Sequence, residues 1–207
     1  MEREDQYMYR YAPHYYHYYF RQSNPNWTPS KVDLNQKLRT LWEQHIYWTR
    51  LTINSIVSRL PDEKETTARL LRNPSDFAAL LEPLYGSGIA TMFANLFREH
   101  LTIAAELVKA LQSGNTAAAS DAQKRWYANA DAIANFLSRI NPYWSKEDWR
   151  NMLYEHLRLT GIEATSRLSG NYIENIAIND QIEPQALKMA DVMTHGIVQQ
   201  FPSAFTA

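Results

Sequence analysis

REHLTIAAELVKALQSGNTAAASDAQKRWYANADAIANFLSRINP, residues 98–142, decides the fold. Around its first half, Phe93, Leu96, His100, Ile103 and Leu107 recur at spacings of three and four, the signature of one helical face. Ser113-Gly114 is a usual C-terminal helix signal. In the second half Trp126, Asn129, Ile133 and Phe136 share a face, and Asn141-Pro142 stops the run. Two long helices with so short a break between them must fold back on each other.

Working outward, the same pattern recurs. A helix is expected over residues 33–60, with Asp33 as its N-cap and Leu38, Leu41, Trp48, Ile56 and Leu60 as its apolar stripe. Pro61 ends it. The connection over residues 61–88 reads as two short helical pieces broken at Asn73-Pro74 and at Pro83. Further helices are expected over 89–112, 116–140, 145–169 and 180–201. Ser145 and Asp148 resemble a capping box, Pro184 is tolerated in a first turn, and Pro202 closes the series. No stretch reads convincingly as a strand. Helices of roughly 36 to 42 Å can only lie side by side. The fold class is all-α, an up-and-down bundle of four to five long helices over residues 33–203.

Residues 1–32 fall outside that pattern. Seven of the 13 Tyr lie between Tyr7 and Tyr19, with His14 and His17 among them, and a stretch rich in Pro, Ser and Asn follows. This reads as a tail and linker. It is either a segment resting on its own domain or an adhesive one, residues 7–20, for self-association or docking a protein partner, since Tyr offers large contact area at low entropic cost.

The bundle also carries an internal echo. EHLTIAAELVKALQSGN (Glu99–Asn115) aligns without a gap to EHLRLTGIEATSRLSGN (Glu155–Asn171), and Asn95 stands opposite Asn151. The following helices correspond more loosely, through Ala130-Asp131 and Ala190-Asp191. Two copies of a helical hairpin behind one leading helix are expected, which is pseudo-symmetry within a bundle and not a solenoid.

Composition removes whole classes of function. The 207 residues contain no Cys, which excludes zinc ribbons, iron–sulfur clusters and thiol nucleophiles. Six Gly leave no glycine-rich phosphate cradle, so no nucleotide is expected, and a net charge of −1 argues against nucleic acid. No apolar stretch approaches the ~20 residues of a membrane span. The N-terminal residues lack the pattern of a secretory signal, so a cytoplasmic or spore-associated location is expected.

Polar residues interrupt the apolar stripes at one height. His45, His100 and His156 face inward near the middle of their helices. Asp191 is expected to point inward with His195 on its flank, Asp131 sits at an edge, and Glu163 shares the His156 face. Buried imidazoles and carboxylates must pair or coordinate. One reading is a metal centre of His45, His100 and His156 with Asp191, Asp131 or Glu163, suited to Fe, Zn, Mn or Ni. An open coordination position there would permit hydrolytic or redox chemistry. A second reading is a hydrogen-bonded network that fixes helix register, and a third is an acid–base site without metal. The Glu-x-x-His spacing of ferritin-like centres does not occur. Arg50 reads as a solvated arginine, as the neutraliser of a carboxylate in the layer or as a residue that binds an anionic ligand. The five tryptophans Trp42, Trp48, Trp126, Trp144 and Trp149 read as staples of the bundle.

LWEQHIYWTRLTINSI, RLLRNPSDFA, REHLTIAAELVKAL, RWYANADAIANFLSRINPYW, NMLYEHLRLT and ALKMADVMTHGIVQQFP resemble a family of small helical proteins of uncharacterised activity from spore-forming bacteria of the Bacillus type. Similar sequences are sometimes labelled acetylglutamate kinase, but an amino-acid kinase needs a sheet and glycine-rich loops. LWEQHIYWTR also resembles, loosely, the first helix of DinB-like metal-binding bundles. That resemblance implies a His triad on separate helices, for which His45, His100 and His156 are the matching residues. The expectations are therefore a metal-binding bundle or, alternatively, a structural protein of spore or envelope layers assembling through its tail.

Overall fold

The computed structural model describes residues 27–206. The adhesive segment expected at residues 7–20 lies outside the described residues. Helix α1 spans Pro29–Ser58, α2 Glu63–Leu70, α3 Asn73–Tyr85, α4 Ser87–Gln112, α5 Thr116–Ile140, α6 Lys146–Leu168, α7 Tyr172–Ala177 and α8 Asn179–Gln200, before a 3-10 turn at Pro202–Phe205. Among the described residues there is no strand, and the fold is the expected all-α bundle, with five long helices. No described helix is long and apolar enough to cross a membrane.

Most helix stops fall where Gly and Pro set them, and the departures have local causes. Helix α1 begins ahead of Asp33 because Thr28 supplies the cap: its Oγ1 accepts from Lys31 N–H (3.4 Å), and Pro29 takes a position where a missing N–H costs nothing. It ends at Arg59, which adopts the left-handed conformation (φ 51°) and turns the chain away. Leu60, expected on the apolar stripe, is in consequence 42% exposed. Pro83 does not break α3; it removes one hydrogen bond near an end that comes two residues later. Pro184 lies inside α8 and not in its first turn, because α8 starts at Asn179 and is entered from the unforeseen α7 through a helical Ile178. Ser145 caps α6 as expected, accepting from Asp148 N–H (3.2 Å).

Cross-helix contacts fix the topology. Helices α4, α5, α6 and α8 follow one another up and down, joined by short turns. Helix α1 runs parallel to α4 and α6: Gln112 donates to the Ile56 carbonyl, Arg50 meets Glu163, and Arg167 reaches Ser58. It runs antiparallel to α8, with Asn35 and Arg39 on Asp191 and Thr28 on the Phe205 carbonyl. Helices α2 and α3 are the return that allows α1 and α4 to point the same way. The three helices that carry His45, His100 and His156 are therefore all parallel, and their midpoints share one level.

A large core of aliphatic and aromatic side chains fills most of the interior, from Leu38 and Phe77 to Met189 and Ile197, each fully buried, and a second, small cluster gathers Ile53, Ile56, Val108 and Ala164. Trp42, Trp126, Trp144 and Trp149 are buried in it as staples, and Trp48 is half-buried with the Arg69 guanidinium 5.0 Å from its ring centre. Trp144 locks one end by donating from Nε1 to the Val192 carbonyl (3.2 Å). It lies so close to Gly196 that a Cβ there would collide with the indole ring.

Candidate functional site: a histidine layer beside a cavity

His45 on α1, His100 on α4 and His156 on α6 are all buried and meet at mid-bundle. His45 Nε2 and His156 Nε2 are 3.2 Å apart, and Phe97 stacks between His45 and His100, its ring centre 5.1 Å and 6.4 Å from theirs. Burial pushes all three imidazoles down: His45 well below its ordinary value, His100 to about 3 and His156 to about 4. Neighbouring imidazoles push His45 and His100 further in the same direction, while amide bonds pull His100 and His156 partly back. The layer is neutral at physiological pH.

Carboxamides decide which nitrogen of each ring carries the proton. Asn129 donates from Nδ2 to the Leu96 carbonyl (3.2 Å) and to Glu99 Oε2 (3.1 Å), so its Oδ1 is the atom that meets His100 Nδ1 at 2.8 Å. That oxygen can only accept, hence His100 is protonated at Nδ1 and bears a lone pair at Nε2. Gln185 repeats the arrangement. It donates from Nε2 to the Met152 carbonyl (2.8 Å), and its Oε1 accepts from His156 Nδ1–H (2.9 Å). His156 Nε2 is then an acceptor, and His45 Nε2–H is its donor. This leaves His45 Nδ1 as a buried acceptor with no partner.

The two relays keep a single sequence offset throughout: Leu96 answers to Met152, His100 to His156 and Asn129 to Gln185. The turns behind them match too. Gly114 and Gly170 have φ of 72° and 73°, and Asn115 and Asn171 each cap the next helix with their side-chain oxygens. The pairing of Ala130-Asp131 with Ala190-Asp191 has a different offset and is not the one these bonds follow.

The carboxylates stand elsewhere. Asp191 does not point inward; its side chain is 49% exposed and held by Arg39 (2.8 Å), which α1 brings alongside, and by Asn35. Asp131 is tied at the surface to Arg150 (2.7 Å) and Tyr154. Glu163 is buried, but Arg50 takes it at 2.6 Å and also binds Asn175. Arg50 is thus the neutraliser of a carboxylate and not a solvated cation. Burial holds the Glu163 carboxyl above its ordinary value even against that partner. His195 is exposed on the flank of α8, as expected. Among the described residues no group of three or more His, Asp or Glu side chains is gathered to hold a metal ion.

Beside the layer lies a cavity of about 500 Å³ between α1, α4, α5 and α6. His45, His100 and His156 form part of its wall, and most of the remainder is aliphatic. Its rim carries the exposed Ser120, Gln123, Arg158 and Thr165. Three features of the wall do not serve packing. Thr49 and Thr52, one and two turns beyond His45, lie on the wall and keep their hydroxyls buried with no partner. His45 Nδ1 completes that unpaired stripe. Gly161 stands in the middle of α6, where Gly costs about 1 kcal/mol relative to Ala, and a Cβ there would meet nothing within 4 Å.

Gln185, Thr49, Thr52 and Gly161 are not singled out by the sequence reading. Gln185 has a signal there, since it follows Asn129 at the same offset by which His156 follows His100. No family model matches the chain, and no curated protein or solved structure does either.

Proposed function

We propose that this bundle binds a small, largely apolar molecule with an uncharged polar head in the cavity beside its histidine layer. One observation carries this reading: a cavity of about 500 Å³ whose wall joins a mostly aliphatic lining to the imidazoles of His45, His100 and His156. An engineered apolar cavity of about 150 Å³ already admits benzene, so a larger molecule fits here. The imidazoles are neutral, and among the described residues Arg158, at the rim, is the wall's single Lys or Arg. Both facts favour an uncharged head over a carboxylate at the inner end.

Calorimetric titration with 4-hexylphenol tests the reading. Binding by the native protein, abolished in Gly161→Leu without loss of helicity, is the expected result. No binding, or binding that Gly161→Leu leaves unchanged, overturns it.

A metal centre is a second reading, favoured by one distance. Two imidazole nitrogens bound to one tetrahedral ion stand about 3.3 Å apart, and the Nε2 atoms of His45 and His156 are 3.2 Å apart. Such a site would draw on two imidazoles, with Gln185 orienting His156 from behind, and take its other ligands from solvent or a bound molecule. After dialysis against Zn(II), about one bound equivalent that His156→Ala loses supports this reading. Sub-stoichiometric metal refutes it.

A further inference from the structure

The pseudo-equivalent relays differ in one respect. Both hold a histidine through Nδ1 so that Nε2 presents a lone pair to the interior. At His156 that lone pair is filled from within the protein, by the N–H of His45 (3.2 Å). At His100 no described residue bonds to Nε2, and the ring lies on the cavity wall with 2% of its surface exposed. His45 is the internal stand-in for what His100 lacks.

We infer that His100 is the residue that reads the ligand's head group: its Nε2 accepts a hydrogen bond from an O–H or N–H of the bound molecule, so the site selects neutral donors such as phenols, alcohols or amides over their capped counterparts. This rests on the cavity being a binding site. The selectivity follows from Asn129, because only the Nδ1–H tautomer places a lone pair on the cavity side, and Asn129 is itself locked by the Leu96 carbonyl and Glu99. A ligand whose head offers acceptors alone meets a like lone pair there. Burial keeps the ring neutral, down to a pKa of about 3, so the acceptor persists across the physiological range.

The test compares 4-hexylphenol with 4-hexylanisole, which differ by a methyl cap on the donor. In His100→Phe, which keeps the ring volume, the ratio of the two dissociation constants should move about 3- to 10-fold toward the anisole, the worth of one neutral hydrogen bond. In Asn129→Leu the tautomer is freed and the preference should fall in the same direction. A ratio unchanged in both variants overturns the assignment. Failure of the native protein to bind either probe overturns the cavity reading, and this inference with it. If His100→Phe does not fold, the native protein labelled at its histidine nitrogens decides. The His100 Nε2 resonance should be of the unprotonated type and move with the phenol but not with the anisole; a protonated-type or unmoved resonance overturns the proposal.

Discussion

Acidification should destabilise this protein through its histidine layer. The folded-state pKa values of His100 and His156, about 3 and about 4, lie below the unfolded value near 6.5. The unfolded chain therefore takes up protons that the folded state refuses. The penalty is negligible above pH 6.5, grows as pH falls, and levels off only below the folded values. At about 1.36 kcal/mol per pH unit per group, each of these two histidines removes about 2 kcal/mol by pH 5, or about 4 kcal/mol together. His45 acts in the same direction. Glu163 acts in the opposite one, since a carboxyl whose pKa is raised in the folded state favours folding as it takes up its proton. Urea unfolding followed by circular dichroism at pH 7, 6 and 5 measures the sum. His100→Leu isolates one imidazole and should shrink the loss between pH 7 and 5 by about 2 kcal/mol. Stability that changes by less than about 1 kcal/mol over this range, or His100 and His156 resonances of the folded protein that titrate near pH 6.5, would refute the reasoning.

Other substitutions probe the remaining parts. Gly196→Ala forces a methyl into Trp144 and should cost about 1–3 kcal/mol or more in denaturant unfolding; a neutral result would mean that the indole has room to retreat. Gln185→Leu strands the His156 Nδ1–H and the Met152 carbonyl, so a loss of about 1–3 kcal/mol is expected by the same assay. Thr52→Val removes a buried hydroxyl that bonds to nothing in the described protein and should leave stability within about 0.5 kcal/mol or raise it in denaturant unfolding. Arg50→Met leaves the Glu163 carboxylate buried without its cation; a loss of about 3 kcal/mol at pH 7 that eases on acidification is the expected outcome of pH-dependent unfolding.

What can be read from the sequence follows what each signal physically reports. Periodicity reports which face of a helix is apolar, and so it locates His45, His100 and His156 inside. It does not report what a neighbouring helix brings. Asp191 shares a face with Thr194 and looks inward by spacing, yet Arg39 and Asn35 draw its carboxylate to the surface. Spacing leaves Arg50 open between a solvated cation and the partner of a carboxylate for the converse reason, because Glu163 comes from α6, far along the chain. Caps are legible only where the capping residue sits at the edge of the apolar pattern. Ser145 does, but Thr28 acts ahead of it, and Asp33 is the visible candidate. Turn residues mark Gly114 and Gly170 but not α7, which is too short to show a period. The cavity is illegible in principle, being defined by where side chains fail to meet. Only Gly161, a glycine inside a long helix, hints at it.

Thr28 Oγ1 donates to the Phe205 carbonyl at 3.0 Å, so the two ends of the described fold touch. The order in which helices appear along the chain is then separable from the way they pack. A chain closed by a short linker between residues 28 and 205 and opened at the exposed turn of Gly114 would preserve every interhelical contact described above. It would also place α5 first and α4 last, splitting the α4–α5 hairpin across the new ends while leaving α6 to α8 continuous. The two relays, alike in how a carboxamide holds each imidazole, would then differ in connectivity, and the contribution of chain continuity to each could be weighed within a single molecule.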